Sequence, residues 1–266
     1  MITSTANQRI KQFRKLRNRK ERKQTDLYYI EGLRIVGEAL KFDIEIKCVI
    51  YAIDLIRSDF ANEVIQKSNE LNIEQIPVST QVFEYLSAKE NPQGLAAVCK
   101  QEVMGLSEID LDQDPIWVAL DRIQDPGNLG AILRTNDSVG NAGVILLDEC
   151  TDPFDLSSIR ASMGALFSQK IIKSNKVEFA KWKPDSGAFL VGTSDKGDLD
   201  YQALNYPMPM VLIMGSEKQG LADEYISLCD ALVRIPMQGS SDSLNLAVAT
   251  GVSLYEIYNQ NRSRIG

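Results

Sequence analysis

The sequence predicts an α/β protein with a mostly parallel sheet. Three apolar segments, beginning at Ile116, Met210 and Leu232, are typical of buried strands, and each leads into a polar turn and then a helix. In open α/β sheets, ligands bind beyond the carboxyl ends of the strands, where backbone N–H groups and helix N-termini are free. The three turns are therefore candidates for one shared pocket.

The first of these segments, residues 121–140, predicts a capped helix with a single arginine on a face of small residues. Asp125 and Pro126 are typical of a helix start, and Gly140 is typical of a helix end. Helical spacing separates a core stripe from a second face, which consists of Gly127, Gly130, Ala131 and Arg134. Two interpretations stay open here: a binding face centred on Arg134, or glycines that permit close packing beside a solvated charge.

The second and third segments place further polar side chains after strands. Residues 210–221, MVLIMGSEKQGL, put Glu217 in a turn bounded by glycines, where the alternative is a solvated turn charge. In residues 232–256 the strand is expected to end at Pro236, and a helix is expected to start near Asp242 or Ser243. For Ser243, helix capping alone would also explain the residue.

Length and composition suit a cytosolic protein with a sizeable core. The chain has 266 residues, 44% of them hydrophobic, and no apolar run approaches the roughly 20 residues that cross a bilayer. The N-terminus lacks a signal-peptide pattern, so we expect a cytoplasmic protein. The four cysteines form no CxxC pair and are expected to be buried, reduced thiols rather than metal ligands or disulfides; they are Cys48, Cys99, Cys150 and Cys229.

The chain contains no histidine. This excludes Ser-His-Asp and Cys-His nucleophile systems and any metal site with histidine ligands, and we expect no metal. There is no GxxxxGK[ST] loop and no complete GxGxxG fingerprint, so nucleotide hydrolysis and dinucleotide-dependent oxidoreduction have little support.

Charge is divided unevenly along the chain. The net charge is −7, but residues 1–23 carry nine Lys or Arg and one acid, which gives +8 there and −15 in the remainder. Such a basic helix predicts a local patch that binds phosphates, and an apolar stripe of Ile10, Phe13 and Leu16 would hold it in place. The alternative is a solvated helix that aids solubility. The RNA-binding candidates are Arg9, Lys11, Arg14, Lys15, Arg17, Arg19 and Lys20.

Residues 28–100 are expected to form a compact αβ unit. Helices are predicted over residues 32–42, 55–71 and 80–88, and strands over residues 47–51, 74–78 and 95–99. An acidic, polar stretch then precedes the strand at Ile116. We therefore predict a first domain at 1–101, a linker at 102–114 and a second domain at 115–266.

Three sequences in order, DPGNLGAILRT, GSEKQGL and IPMQGSSDSLNLAVA, resemble the three signature motifs of the SpoU (TrmH-like) branch of the SPOUT RNA methyltransferases. The resemblance covers roughly residues 115–260. One departure is that Leu246 and Ala247 stand where relatives often have a second serine. The segments GLRIVGEAL and NPQGLAAV resemble, more loosely, the L30e-like substrate-binding domain of many relatives. The resemblance implies a deep trefoil knot in the C-terminal domain and a homodimer.

The resemblance also implies an activity: methylation of a ribose 2′-hydroxyl in RNA with S-adenosyl-L-methionine as cofactor. Ribosomal RNA of the 23S type is favoured as substrate, and transfer RNA is possible. The resemblance implies cofactor contacts around Thr193, Gly215, Ile235 and Leu244. It implies catalytic roles for Asn128, Arg134, Glu217, Ser243 and Asn245.

Arg134 could act in two ways, because a guanidinium is a poor base. It could be a perturbed base, or a cation that stabilises the developing alkoxide while phosphate or water accepts the proton. A different function also stays open, that of a non-catalytic RNA-binding or ribosome-assembly factor that retains the fold. A Rossmann-type oxidoreductase has only the incomplete glycine pattern in its favour.

Overall fold

The computed structural model describes residues 1–42 and 44–265, and the side chains of residues 1–42 and 44–262. The strands are, in chain order, β1 Leu27–Glu31, β2 Ile46–Tyr51, β3 Glu74–Pro77, β4 Leu95–Lys100, β5 Ile116–Asp121, β6 Gly143–Leu147, β7 Lys170–Ser174, β8 Phe189–Thr193, β9 Leu199–Asp200, β10 Met210–Met214 and β11 Ala231–Arg234. The α-helices are α1 Gln8–Lys15, α2 Arg19–Thr25, α3 Leu33–Ala39, α4 Asp59–Glu70, α5 Thr80–Leu86, α6 Pro126–Ser138, α7 Leu156–Ser162, α8 Lys176–Ser186, α9 Asp223–Ile226 and α10 Leu246–Ile265. Short 3₁₀ helices lie at Ile53–Leu55, Leu106–Glu108 and Ala165–Ser168.

The chain folds into two compact units. Unit 1 comprises Met1–Gln101 and Phe154–Phe167, and unit 2 comprises Glu102–Pro153 and Ser168–Gly266. The segment Phe154–Phe167 therefore belongs to unit 1, although it follows β6 of unit 2 in the chain. The domain boundaries proposed from the sequence stay a prediction.

Unit 1 contains a four-stranded mixed sheet in the order β1-β4-β2-β3. Strand β4 pairs antiparallel with β1 and β2, and β2 pairs parallel with β3. The helices and strands predicted for residues 28–100 are all present, with ends that differ by a few residues. The helix predicted from residue 55 starts at Asp59, because a 3₁₀ turn occupies Ile53–Leu55.

The basic N-terminal region packs on unit 1 through the predicted apolar stripe. Helix α1 begins after Asn7, whose side chain accepts a hydrogen bond from the Arg9 backbone N–H. Ile10, Phe13 and Leu16 are buried in the unit 1 core, which confirms the stripe. Because α1 has a fixed docking face, its other faces, which carry the cationic residues, are turned away from the unit 1 core.

Unit 2 contains a seven-stranded sheet in the order β7-β6-β5-β10-β8-β11-β9, and every pair in it is parallel. Its central strands are buried on both faces, as the near-continuous apolar sequences of β5 and β10 require. The α/β fold class is thus confirmed. The deep trefoil knot stays a prediction from the family resemblance.

The register of this sheet brings the three polar turns to one edge. Leu120 of β5 is paired with Met214 of β10, which is paired with Thr193 of β8, and Thr193 is also paired with Val233 of β11. The strands are parallel, so the segments that follow these residues all leave from the same edge. This confirms that the three turns lie together.

The last helix, α10, starts later than the sequence predicts. It starts at Leu246 rather than near Asp242 or Ser243. One of its faces is buried, including Thr250, Leu254 and Ile257, but Val248 is 51% and Tyr255 53% exposed. The helix is therefore covered on only one side within this chain.

In the described part of the chain, no helix is both long and apolar enough to cross a membrane.

Candidate active site

Helix α6 starts as the sequence predicts. The Asp125 carboxylate accepts a 2.7 Å hydrogen bond from the Asn128 backbone N–H, and Pro126 occupies the first turn. At the other end Gly140 has a φ of +76°, the left-handed conformation that favours glycine after a helix. These contacts fix the direction in which Asn128 and Arg134 leave the sheet edge.

Glu217, in the turn after β10, connects that turn to the start of α6. Its carboxylate accepts hydrogen bonds from the backbone N–H groups of Gln124 and Asp125, both at 3.4 Å, and from the Asn128 side-chain amide at 3.0 Å. A carboxylate only accepts hydrogen bonds, so three converging donors suit it. Glu217 is therefore held in place and is more than a solvated turn charge.

Asn128 in turn connects to the third motif. Its side-chain carbonyl accepts a 3.0 Å hydrogen bond from the Asn245 amide, while the Asn245 carbonyl accepts from the N–H groups of Ala247 and Val248 at the start of α10. We call the hydrogen-bonded set Glu217, Asn128 and Asn245 the motif junction. One residue from each motif takes part, and the amide orientations follow from the donor pattern.

Asn245, not Ser243, caps α10, and this corrects the predicted helix start. Asn245 accepts from the first N–H groups of the helix, which is the N-cap role. Ser243 is exposed and, among the described residues, makes no hydrogen bond. The sequence SSDSLN offers several capping residues in a row, and the bond from Asn245 to Asn128 favours the last of them.

Arg134 lies eight residues into α6 on its exposed side, away from the buried Leu133 and Ile132. Within the part of the chain whose side chains are described, its guanidinium makes no hydrogen bond and no ion pair. A guanidinium carries five N–H donors. All of these are available to a ligand, which is the property expected of a cation that meets an anionic substrate.

A second arginine at this edge, Arg122, is not among the site residues that the sequence predicts. It has a left-handed φ of +50°, and its guanidinium is held by the fully buried Asp121 through Nε and Nη2, at 2.8 and 3.0 Å. Its Nη1 donates to Gln219 at 3.1 Å. The hydrogen bond to Asp121 raises the pKa of Arg122 above its ordinary value. The acid that ends β5 was the only signal in the sequence.

A cleft of about 350 Å³ lies between the first two motifs. It is lined by Arg122, Gln124 and Asp125 on one side and by residues 216–219 on the other. This volume is within the usual range for small-ligand pockets.

The candidate cofactor residues lie at the same sheet edge. Thr193 ends β8, and its side-chain oxygen is buried without a hydrogen-bond partner among the described residues. Gly215 follows β10 where a Cβ would lie 2.0 Å from the Gly220 backbone, so only glycine closes this turn. Ile235 follows β11 and is half-buried, and Leu244 is 36% exposed.

The basic residues of the N-terminal region have differing surroundings in unit 1. Arg9 forms a two-pronged ion pair with Glu74 at 2.6 and 2.7 Å, Arg14 lies 3.7 Å from the centre of the Tyr85 ring, and the Arg17 guanidinium donates to the Leu86 carbonyl. The remaining candidates are exposed, namely Lys11, Lys15, Arg19 and Lys20.

Arg22, which contributes to the sequence charge of this region, is not part of its exposed patch. It is 2% exposed, donates to the carbonyls of Leu16 and Arg17 at 2.9 Å each, and pairs with Asp155 at 3.2 Å. A buried arginine of this kind acts structurally: it joins the end of α1 to the start of α7 within unit 1.

The cysteines are poor nucleophiles. Cys48, Cys99 and Cys150 are buried and Cys229 is half-buried, all as free thiols. Burial raises the pKa of Cys48 and of Cys150 to about 11 and that of Cys229 to about 12, so the reactive thiolate is scarce at neutral pH. The thiols are therefore not candidates for nucleophilic chemistry at the sheet edge.

The parallel sheet, the three motifs at one edge and the free Arg134 together define the class of α/β RNA-modifying enzymes to which the sequence motifs point. Comparison with known proteins supports the same class of enzyme. Residues 115–255 match the SpoU rRNA methylase family, and residues 7–97 match the MRM3-like substrate binding domain. The chain belongs to the SpoU rRNA methylase family.

Relatives match over nearly the whole chain. The chain is 31% identical to the 23S rRNA (uridine(2479)-2′-O)-methyltransferase of Streptomyces viridochromogenes, over 98% of this chain and 93% of that protein. It is 30% identical to the 23S rRNA (guanosine(2553)-2′-O)-methyltransferase RlmP of Bacillus subtilis, over 96% and 98%. The chain is also 36% identical to an rRNA methyltransferase from Sinorhizobium meliloti whose crystal structure was determined with AdoMet bound. The match covers 100% of this chain and 98% of that chain, and the two structures superpose with a TM-score of 0.89.

Proposed function

We propose that this protein transfers a methyl group from S-adenosylmethionine to a ribose 2′-hydroxyl of 23S ribosomal RNA. The motif junction carries this proposal, because it joins the three motifs by hydrogen bonds at the sheet edge where Arg134 is free. Two relatives with about 30% identity over nearly full length are named as 23S rRNA 2′-O-methyltransferases, which supports the same substrate class. Because the substrate is ribosomal RNA, we expect the protein to act in the cytoplasm.

The residues at the sheet edge fit the cofactor. A buried hydroxyl without a partner, such as that of Thr193, is costly unless a ligand or water bonds it. In the turn from Gly215 to Gly220 two backbone segments lie too close together for a side chain at Gly215, and the exposed Met237 and Leu244 offer apolar surface to a ligand. Thr193, Gly215, Ile235 and Leu244 would together hold the cofactor.

Replacing Thr193 with valine tests the cofactor site. We expect about tenfold weaker binding of S-adenosylmethionine, since one hydrogen bond to the ligand is lost. Stability should be unchanged or slightly higher, because the buried hydroxyl has no partner within the described chain. Isothermal titration measures the affinity and thermal unfolding the stability. Thr193→Ser, which keeps the hydroxyl, is the matched control. Unchanged cofactor affinity in the valine variant would contradict the assignment.

S-adenosylmethionine, when bound, supplies a methyl group on a positively charged sulfur, which is already activated for transfer. The chain must therefore bind the RNA, align the 2′-oxygen and deal with its proton. Asn128 and Asn245 are held by Glu217 and by the start of α10, so their amides are fixed when substrate arrives. Fixed donors act on developing charge without having to reorganise.

Arg134 would act as a cation rather than as a base. It is exposed, and a guanidinium in contact with water is a poor proton acceptor. Its free N–H groups suit the developing alkoxide together with a neighbouring phosphate oxygen. The proton would then pass to phosphate or water. Ser243 is exposed beside this region, and its proposed catalytic role has no hydrogen bond in support among the described residues.

Unit 1 would bind RNA through the exposed cations of its N-terminal helices. Lys11, Lys15, Arg19 and Lys20 are exposed and can contact phosphates. Arg9 and Arg14 are engaged with Glu74 and Tyr85, so their contribution would require these contacts to rearrange or to be shared with RNA.

The exposed face of α10 supports a homodimer. Val248, Tyr255 and Tyr258 lie on one helix with exposures of 51%, 53% and 36%, which is a large apolar surface for a monomer to leave in water. We predict that Val248→Asp converts a dimer to a monomer, because a charge would be buried at the interface. Mass from light scattering at micromolar concentration measures this. Lys181→Ala, an exposed change on α8, is the control, and a wild-type monomer would contradict the dimer.

An in vitro reaction tests the activity. Purified protein is incubated with deproteinised 23S rRNA and cofactor labelled in its methyl group. We expect label in the RNA and a ribose-methylated dinucleotide that resists alkaline hydrolysis, because the 2′-oxygen is blocked. Cofactor binding without label transfer to any ribosomal RNA would contradict the proposal, and no cofactor binding at millimolar concentration would favour a non-catalytic RNA-binding protein.

A further inference from the structure

We propose that the cleft beside Arg122 holds the base of the nucleotide to be methylated, and that Arg122 and Gln124 make guanine or uracil the preferred base. This inference rests on the proposed function and concerns the same sheet edge. It assigns a specificity-determining role to residues outside the motif junction.

The donors of Arg122 can be counted. Of the five N–H groups of the guanidinium, two donate to Asp121 and one to Gln219. Among the described residues the other two, one on each terminal nitrogen, have no acceptor; the side chain is 36% exposed and lines the cleft. Asp121 is fully buried and also accepts from the Ala222 N–H at 3.4 Å, so the guanidinium plane is anchored from behind. Arg122 thus keeps two N–H groups, on an anchored guanidinium plane, for a ligand.

Gln124 has an unused acceptor. Its side-chain amide donates to the Arg122 carbonyl at 3.0 Å and to the Glu149 carbonyl at 2.6 Å, so both of its N–H groups are used. These bonds orient the side chain, and its Oε1 accepts no hydrogen bond within the described residues. Gln124 lines the same cleft as Arg122.

Protein N–H donors next to a protein acceptor are complementary to a base edge that has a carbonyl next to an imino N–H. Guanine and uracil carry that pair on the edge used for base pairing, whereas adenine and cytosine carry an amino group and a bare ring nitrogen in the opposite order. The cleft volume of about 350 Å³ accommodates a single base with part of its sugar. Arg122 and Gln124 together therefore favour the two bases that carry an imino N–H beside a carbonyl.

The separation between the cleft and Arg134 suits a nucleotide that reaches both. Arg134 follows Pro126 by eight residues, which is about 12 Å along a helix axis. Helical side chains lean toward the helix N-terminus, so the guanidinium extends back toward the cleft. One nucleotide and the arginine side chain together span this separation, with the base in the cleft and the ribose toward Arg134.

The test measures base discrimination. RNA fragments that carry each of the four bases at the mapped methylation site are compared by kcat/KM. Wild-type protein is expected to prefer guanine or uracil over adenine and cytosine by about tenfold or more, the usual effect of a two-pronged arginine contact. Arg122→Lys keeps a cation beside Asp121 but loses the planar pair of donors, and it should lose most of this preference.

A second variant and a control keep the test decisive. Gln124→Ala leaves the Asp121–Arg122 pair intact and should also weaken the preference, even if Arg122→Lys folds poorly. Lys176→Ala removes a half-buried cation that pairs with Glu224 and does not line the cleft, so it should keep the wild-type ratio. An equal fall for all four bases in the Arg122 and Gln124 variants would overturn the inference, as would a wild type without base preference. A wild type that methylates no RNA would instead overturn the proposed function and this inference with it.

Discussion

Arg134→Ala is expected to lower the rate of ribose methylation by about a hundredfold to a thousandfold, the usual cost of removing a fixed donor from a site of developing negative charge. The affinity for S-adenosylmethionine should stay the same, because Arg134 lies on α6 and not among the residues after β8, β10 and β11. Folding should be unaffected, since the side chain is exposed and makes no ion pair in the described part of the chain. Single-turnover methylation of 23S rRNA and isothermal titration measure the two quantities.

Two companion variants sharpen this test. Arg134→Lys keeps the charge but loses the planar set of donors, and it should recover only part of the rate. Lys181→Ala removes an exposed cation of α8 and should leave the rate unchanged. A fully active Arg134→Ala protein would show that the free guanidinium does not take part in methyl transfer.

Glu217→Ala is expected to lower the methylation rate by about a hundredfold, because it removes the acceptor that holds the motif junction together. Without the carboxylate, the Asn128 amide loses its 3.0 Å bond, and the Asn245 amide loses a fixed partner. The N–H groups of Gln124 and Asp125 would be bonded by water instead. Stability should change little, because Glu217 is exposed.

Glu217→Gln tests whether the Glu217 carboxylate acts through its hydrogen bonds or through its negative charge. It retains one acceptor oxygen and should lie between wild type and Glu217→Ala in rate, whereas Asp185→Ala, an exposed carboxylate on α8, should match wild type. If Glu217→Ala lost stability and rate in proportion, or lost neither, the positioning role of the junction would be wrong.

Local sequence signals were sufficient for much of the fold and part of the site. The buried strands β5 and β10 follow from continuous apolar runs, and the start of α6 follows from Asp125 and Pro126, because capping depends on residues within one turn. The apolar stripe of α1 follows from helical spacing alone. Glu217 and Asn128 were identified through the motifs, although the bond between them was not.

The remaining features depend on contacts between distant parts of the chain. Glu217 is 89 positions from Asn128, and Gln219 is 97 positions from Arg122. The only local signal for Arg122 is the acid that precedes it, and Arg122 looks like a surface charge until Asp121 is known to be buried. Likewise, the membership of Phe154–Phe167 in unit 1 rests on contacts such as the Tyr28–Phe154 ring pair, whose centres lie 4.9 Å apart.

The start of α10 also depends on a contact between distant parts of the chain. Ser243 and Asn245 are both good capping residues, and intrinsic preference hardly separates them. The choice is made by the tertiary hydrogen bond from Asn245 to Asn128, which costs the chain two extra residues of loop before the helix. That loop is the third of the three turns at the site.

Mapping ribose methylation across total RNA, from cells with and without this protein, tests the central claim most directly. We expect a single 2′-O-methylated position in 23S rRNA to disappear with the protein, to return with the wild-type chain and to remain absent with Arg134→Ala. Identical maps with and without the protein, or a lost site in transfer RNA alone, would contradict the proposal that it is a 23S rRNA ribose methyltransferase.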